Sequence, residues 1–143
     1  MSRLCLAMML CLLVSPLQAR EPQCPQPRFT GQAPQPQYSQ RNPLPASRAH
    51  LKAGRRLYRG KAEQGVDCAI CHGRKGDGLG PLSDQFVPPP RNFTCEATIN
   101  GVPDGQLFWI IRNGSPGTGM PAHDSLSDEA IWQLILELRR LAN

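Results

Sequence analysis

Apolar residues recur at helical spacing in three stretches of this chain and nowhere show the sustained two-residue alternation of a strand. The first stretch predicts a helix from about Arg48 to Gly60, with Leu51, Gly54, Leu57 and Tyr58 on one side and cations around the rest. The second predicts a helix from about Asp104 to Arg112. Asp104 is its expected cap, Leu107, Ile110 and Ile111 its buried face, and Asn113-Gly114 its stop. The third runs from about Ser127 to Leu141, with Ser127 as N-cap and Leu126 and Ile131 at staple positions. Asp128 and Glu129 stand at its positive dipole end, Arg139 and Arg140 at its negative end. Its apolar stripe is Ile131, Leu134, Ile135, Leu138 and Leu141. Between Pro81 and Phe93 the run Phe86-Val87-Pro88-Pro89-Pro90-Arg91-Asn92-Phe93 predicts an irregular loop, because consecutive prolines supply no backbone donors.

The segments ahead of the first helix follow other rules. Residues 1–19 hold Arg3, an apolar run from Leu4 to Val14, and Ser15-Pro16-Leu17-Gln18-Ala19, the pattern of a secretory signal cut after Ala19. As a helix the run would reach only about 16 Å against a hydrocarbon core of about 30 Å, so the expected product is soluble and exported, without a membrane span. Residues 20–47 are rich in Pro and Gln, which bars a helix and leaves either a PPII-like linker or an extended arm lying on the domain. Residues 48–143 form the expected single domain.

The chemistry is concentrated in Cys68-Ala69-Ile70-Cys71-His72. C-x-x-C-H is the attachment signature of a c-type haem: Cys68 and Cys71 can each add to a vinyl group of one porphyrin, and His72 then presents its imidazole to the iron. A zinc knuckle would need a second ligand pair, and a thioredoxin-like dithiol would need a strand before it and a helix after it. A Gly-rich turn, Gly73 to Gly78, follows instead. Once Cys5 and Cys11 leave with the signal, Cys24 and Cys95 are the remaining pair; in an exported protein they are either disulfide-bonded or two leftover thiols.

The sixth iron position decides between carrier and catalyst. Met120 is the candidate, in Gly117-Thr118-Gly119-Met120-Pro121-Ala122, where glycines allow close backbone approach and Pro121 stiffens the exit. A thioether favours iron(II) and suits a couple that cycles without binding substrate at the metal. His123 and His50 are the competing ligands, and solvated histidines is the plainer reading of both. The Gly114 to Gly119 loop follows a helix, so a phosphate-cradle reading does not apply.

The formal charge of +5 falls to +4 when Arg3 leaves with the signal. Arg48, Lys52, Arg55, Arg56, Arg59 and Lys61 cluster on the first helix, a solvated face before it is a docking patch. Arg74 and Lys75 lie beside the attachment site, and they point to redox partners with an acidic docking surface. Nucleic acid is not an expected partner in an oxidising compartment outside the cytoplasm, most simply the periplasm.

From about Ala46 to Leu141 these residues resemble the class I monohaem cytochrome c family, on Gly54 and Tyr58, Cys68 to His72, Gly80-Pro81, Met120-Pro121 and the Trp132-containing last helix. The resemblance implies an all-α cytochrome c fold, three or more helices around one covalently bound haem, here with an extended Pro-rich N-terminal arm. It implies a tight crossing of first and last helices at Gly54, Tyr58, Trp132 and Leu136. It also implies that the Pro81 carbonyl takes the proton of the His72 imidazole and so sets its tautomer. The expected function is that of a periplasmic one-electron carrier with His72 and Met120 as axial ligands, acting as a monomer or in transient complexes, and not as an enzyme. A tightly held electron-transfer subunit of a periplasmic dehydrogenase or reductase is the alternative, and a haem enzyme or gas sensor with a labile sixth ligand comes third.

Overall fold

The computed structural model describes residues 21–27 and 30–143; the expected signal segment, residues 1–19, lies outside them. Among the described residues there are five α-helices and no strand: α1 (Arg48–Tyr58), α2 (Ala69–His72), α3 (Glu96–Ile99), α4 (Asp104–Asn113) and α5 (Asp128–Leu141). Short 3-10 turns stand at Gln37–Ser39 and Ser83–Gln85. No helix among them is long and apolar enough to cross a membrane.

The three helices expected from periodicity are α1, α4 and α5, and their ends follow local chemistry. Ser47 caps α1 by accepting from His50 N at 3.2 Å, and Ser127 caps α5 by accepting from Ala130 N at 3.2 Å. Leu126 and Ile131, at the staple positions of α5, are both buried. The start of α4 departs from expectation. Pro103 occupies the N-cap, and the Asp104 carboxylate makes no cap bond. It is taken instead by Arg139, whose Nε and Nη2 reach Oδ1 at 2.8 and 2.7 Å, and by Asn42 N at 3.3 Å. A bidentate guanidinium is a stronger partner for a carboxylate than a neutral amide N–H. Arg139 also donates to the carbonyls of Ile99 (2.8 Å) and Val102, tying the end of α5 to the turn before α4.

The largest helix contact is α1 on α5. Gly54 makes it possible: a Cβ there would run into the Gln133 carbonyl, so the two backbones touch where a side chain would hold them apart. Tyr58 is fully buried beside this contact and donates its hydroxyl to Gly73 O at 2.8 Å, linking α1 to the turn after the C-x-x-C-H run. Trp132 also meets α4, its ring tilted against Phe108 at 4.5 Å. Leu136 is only half-buried. Ile131, Leu134 and Ile135 are the most completely buried aliphatic side chains of α5, each contributing about 1.5–3 kcal/mol by leaving water.

The Pro/Gln-rich segment is hydrogen-bonded onto this body along its length. Gln106, fully buried on α4, accepts from Ala33 N at 2.8 Å and donates to Gly31 O at 3.0 Å. Gly105 N donates to Gln40 O at 2.9 Å, and Asn42 Nδ2 donates to Trp132 O at 2.9 Å. Cys24 and Cys95 are bonded in the structure, their Cα atoms 5.6 Å apart across 71 residues of chain. Apart from the 3-10 turn at Gln37–Ser39, whose amides bond within the segment, extended Pro-rich backbone finds its partners on the body, side-chain amides among them.

Candidate haem site

Cys68, Cys71, His72 and Met120 line one cavity of about 540 Å³, within the range of about 300–1,000 Å³ typical of small-molecule and cofactor sites. Its walls are mainly apolar, with Ile99, Leu107, Ile111, Leu134 and Leu138 among them.

One face is built by α2 and the loop that follows it. The C-x-x-C-H run folds as a single helical turn, with His72 N donating to Cys68 O at 2.9 Å, which sets both cysteines and the histidine along one side of a short cylinder. Gly73, at φ 80°, ends the turn. The chain then doubles back: Gly80 N donates to Cys71 O at 3.1 Å and Leu82 N to Ile70 O at 2.9 Å. A Cβ at Gly80 would strike those same carbonyls.

The tautomer of His72 is held by a different residue from the one the family resemblance implied. Its Nδ1 meets Arg91 O at 2.9 Å; Pro81 is exposed and makes no such contact. The reason is visible in the backbone. Residues 80–82 are spent on the carbonyls of Ile70 and Cys71, and the imidazole is approached by the far end of the loop, after Pro90. With Nδ1 bonded to a carbonyl, the ring keeps its proton there and leaves Nε2 free as a ligand. Phe93 stacks on the same ring, centroids 4.5 Å apart, and Tyr58 meets Phe93 edge-on at 6.3 Å. Loss of water around the imidazole pulls the His72 pKa down to about 4, against the upward pull of its bond to Arg91 O. The neutral ring is the form that binds metal. Burial also pushes the Cys68 thiol up to about 12, with Asp67 adding to the shift, and raises that of Cys71.

The loop after α4 supplies another part of the wall. Gly114, at φ 76°, closes the helix and passes within van der Waals reach of the returning backbone at Met120 to Ala122. Ser115 N donates to Met120 O at 3.1 Å, and Met120 N to Thr118 Oγ1 at 3.2 Å. Thr118 Oγ1 donates in turn to Ser115 O at 2.8 Å. His123 also lines the cavity and has its pKa lowered by burial, while its backbone N donates to Ile111 O at 3.0 Å. His50 is not among the lining residues; its ring Nδ1 meets Pro45 O at 2.9 Å.

The residues present fit a haem. Two thiols and a neutral imidazole sit on one helical turn, and a thioether and apolar side chains line the same cavity. Bound there, haem c would supply a one-electron couple at iron. Arg91, Phe93, Ser115 and the arm residues Gln23 and Gln26 belong to the site but were not among its expected residues. A run of three prolines lacks donors but keeps every carbonyl, and that was the available hint that the acceptor for His72 comes from this loop.

Fold and site together define a c-type cytochrome. Residues 49–136, more than half of the chain, match the family model described as Cytochrome C oxidase, cbb3-type, subunit III, and the chain belongs to that family of c-type cytochrome domains. Membership implies electron transfer through covalently bound haem c. Among solved structures, a chain of the reducing HAO-like protein complex of Kuenenia stuttgartiensis is 28% identical with a TM-score of 0.59. The match covers 71% of this chain and 47% of that one, so this chain spans about half the length of its structural relative. No curated protein matches it.

Proposed function

We propose that this chain is an exported, periplasmic one-electron carrier, with one haem c tethered by Cys68 and Cys71 and ligated by His72 and Met120. The observation that carries the reading is that these four side chains line a single apolar cavity. Held by His72 and Met120, a haem would supply a one-electron couple with no open position for substrate. The chain is accordingly a carrier and not an enzyme. Its polypeptide excludes water, which holds the potential up, and orients the imidazole through the Arg91 carbonyl.

The partner follows from charge. Arg74 and Lys75 are exposed on the turn after α2, and Arg59, just past the end of α1, donates to Arg74 O at 3.4 Å, which joins the turn to the basic helix. Such a surface steers toward an acidic one, and steering weakens as the Debye length falls from about 10 Å at 0.1 M salt to about 3 Å at 1 M. A second reading, a subunit held in a larger redox complex, is favoured by one observation: the structural relative is a chain of a protein complex.

The test is the purified holoprotein. A mass increased by one haem that survives acid extraction, together with the weak far-red band of methionine sulfur on ferric iron, supports the carrier. Extractable haem, or a ferrous protein that binds carbon monoxide without prior denaturation, rejects it. Isolation with a stoichiometric partner, and electron transfer insensitive to salt, favours the subunit.

A further inference from the structure

We propose that the segment from Gln23 to Pro27 is a strap that sets the hydrogen bond on the proximal histidine, with Gln26 as its positioning residue. The inference rests on the reading of His72 as a haem ligand and goes beyond it, because it assigns a role to a segment outside the residues that match the family.

The bond in question joins His72 Nδ1 to Arg91 O at 2.9 Å. Arg91 follows Pro88-Pro89-Pro90, which have no N–H groups, and it lies in neither helix nor strand. The flanking residues are held from outside by Gln26. Its side-chain amide donates to Pro90 O at 3.2 Å and accepts from Asn92 N at 2.6 Å, grasping the chain on both sides of Arg91 as a neighbouring strand would. Its backbone does the same work. Gln26 O accepts from Arg91 Nη1 at 3.2 Å, and Gln26 N donates to Thr98 Oγ1 at 3.0 Å. Asn92, almost wholly buried, adds a bond from Nδ2 to Gln23 O at 3.1 Å.

These partners lie 64 to 72 residues apart in the chain, so local structure cannot bring them together. The covalent link does. Cys24 stands between Gln23 and Gln26, and its bond to the buried Cys95 converts the encounter of strap and loop into a short-range one. Gln23, Gln26 and Pro27 also line the cavity itself, so the strap both forms wall and braces the ligand. A firm carbonyl at Nδ1 raises the basicity of the imidazole and favours ferric iron, and a loosened one has the opposite effect.

The experiment compares native holoprotein with Gln26→Ala by two readouts: solvent exchange of the His72 Nδ1–H in the NMR spectrum, and the reduction potential. The expected result is exchange about tenfold faster, equivalent to about 1.4 kcal/mol, and a potential above the native value. Gln26→Glu keeps the acceptor for Asn92 N and loses the donor to Pro90 O, and falls between. Selective reduction of the Cys24–Cys95 bond in native holoprotein shifts both readouts in the same direction without any substitution, which keeps the test available if the alanine variant does not fold. Lower thermal stability with native exchange and native potential overturns the proposal and leaves Gln26 a brace of the fold only. A native holoprotein whose His72 ring carries no haem-shifted signals overturns the ligand assignment together with the strap, so the two failures are distinguishable.

Discussion

His72 and Met120 face the same cavity from supports of different strength. The imidazole is stacked on Phe93, bonded to Arg91 O, set on a helical turn that the Gly80–Leu82 backbone grips, and walled by a strap bonded to Cys95. The methionine stands on a loop with three glycines among residues 114–119, held by two side-chain hydrogen bonds of Thr118 and the backbone bond from Ser115 to Met120. The two candidate ligand side chains are held differently, His72 by contacts with the core and the arm, Met120 by hydrogen bonds within its own loop.

Met120→Ala is expected to have the largest effect. It should abolish the far-red sulfur-to-iron band and open the ferric site to imidazole or cyanide, while far-ultraviolet dichroism stays native. A variant that keeps the native spectrum would break the comparison and make His123, which lines the same cavity, the ligand. The strap side should answer in stability. Replacing Cys24 and Cys95 together by serine is expected to cost about 3–5 kcal/mol in the chain-entropy model for a loop of this length, measured by denaturant unfolding. A loss under about 1 kcal/mol would place the proximal side on the same footing as the distal loop.

Smaller effects sharpen the contrast. Tyr58→Phe removes one of two donors to Gly73 O, the other being Gly76 N at 3.0 Å, and should cost about 0.5–1.5 kcal/mol, with the methionine band unchanged. Thr118→Val removes both side-chain bonds of the distal loop. Its expected signature is an increase of about fivefold in the affinity of ferric protein for imidazole, corresponding to about 1 kcal/mol of loop order, with little change in global unfolding. Equal losses of global stability from the two variants would show that the loop is as firmly built into the core as the attachment turn.

The pattern of burial was legible in the residues because it is local. A helix declares itself within its own turn spacing, as in Ile131, Leu134, Ile135 and Leu138, and its ends are written in single residues such as Ser127 and Gly114. C-x-x-C-H specifies its chemistry through a covalent reach of four residues. The close approach of helices implied at Gly54 is present, while the stacking of Trp132 on Phe108 of α4 was not foreseen, because an aromatic ring on α5 has two neighbouring helices to meet.

What only the tertiary structure decided are the contacts whose partners share no local code. The choice of Arg91 O over Pro81 O depended on which end of a loop returns to the imidazole, and every backbone carbonyl in that loop is chemically equivalent until the chain is folded. The choice between linker and arm depended on Gln26 and Gln106 meeting backbone 64 to 75 residues away, where a glutamine in sequence gives no sign of its partner. The sequence by itself thus determined the helices and the attachment turn, which are set by short-range sterics and covalent spacing. The bracing of the proximal ligand was decided by packing, because hydrogen bonds between distant segments exist only once the apolar core has brought those segments together.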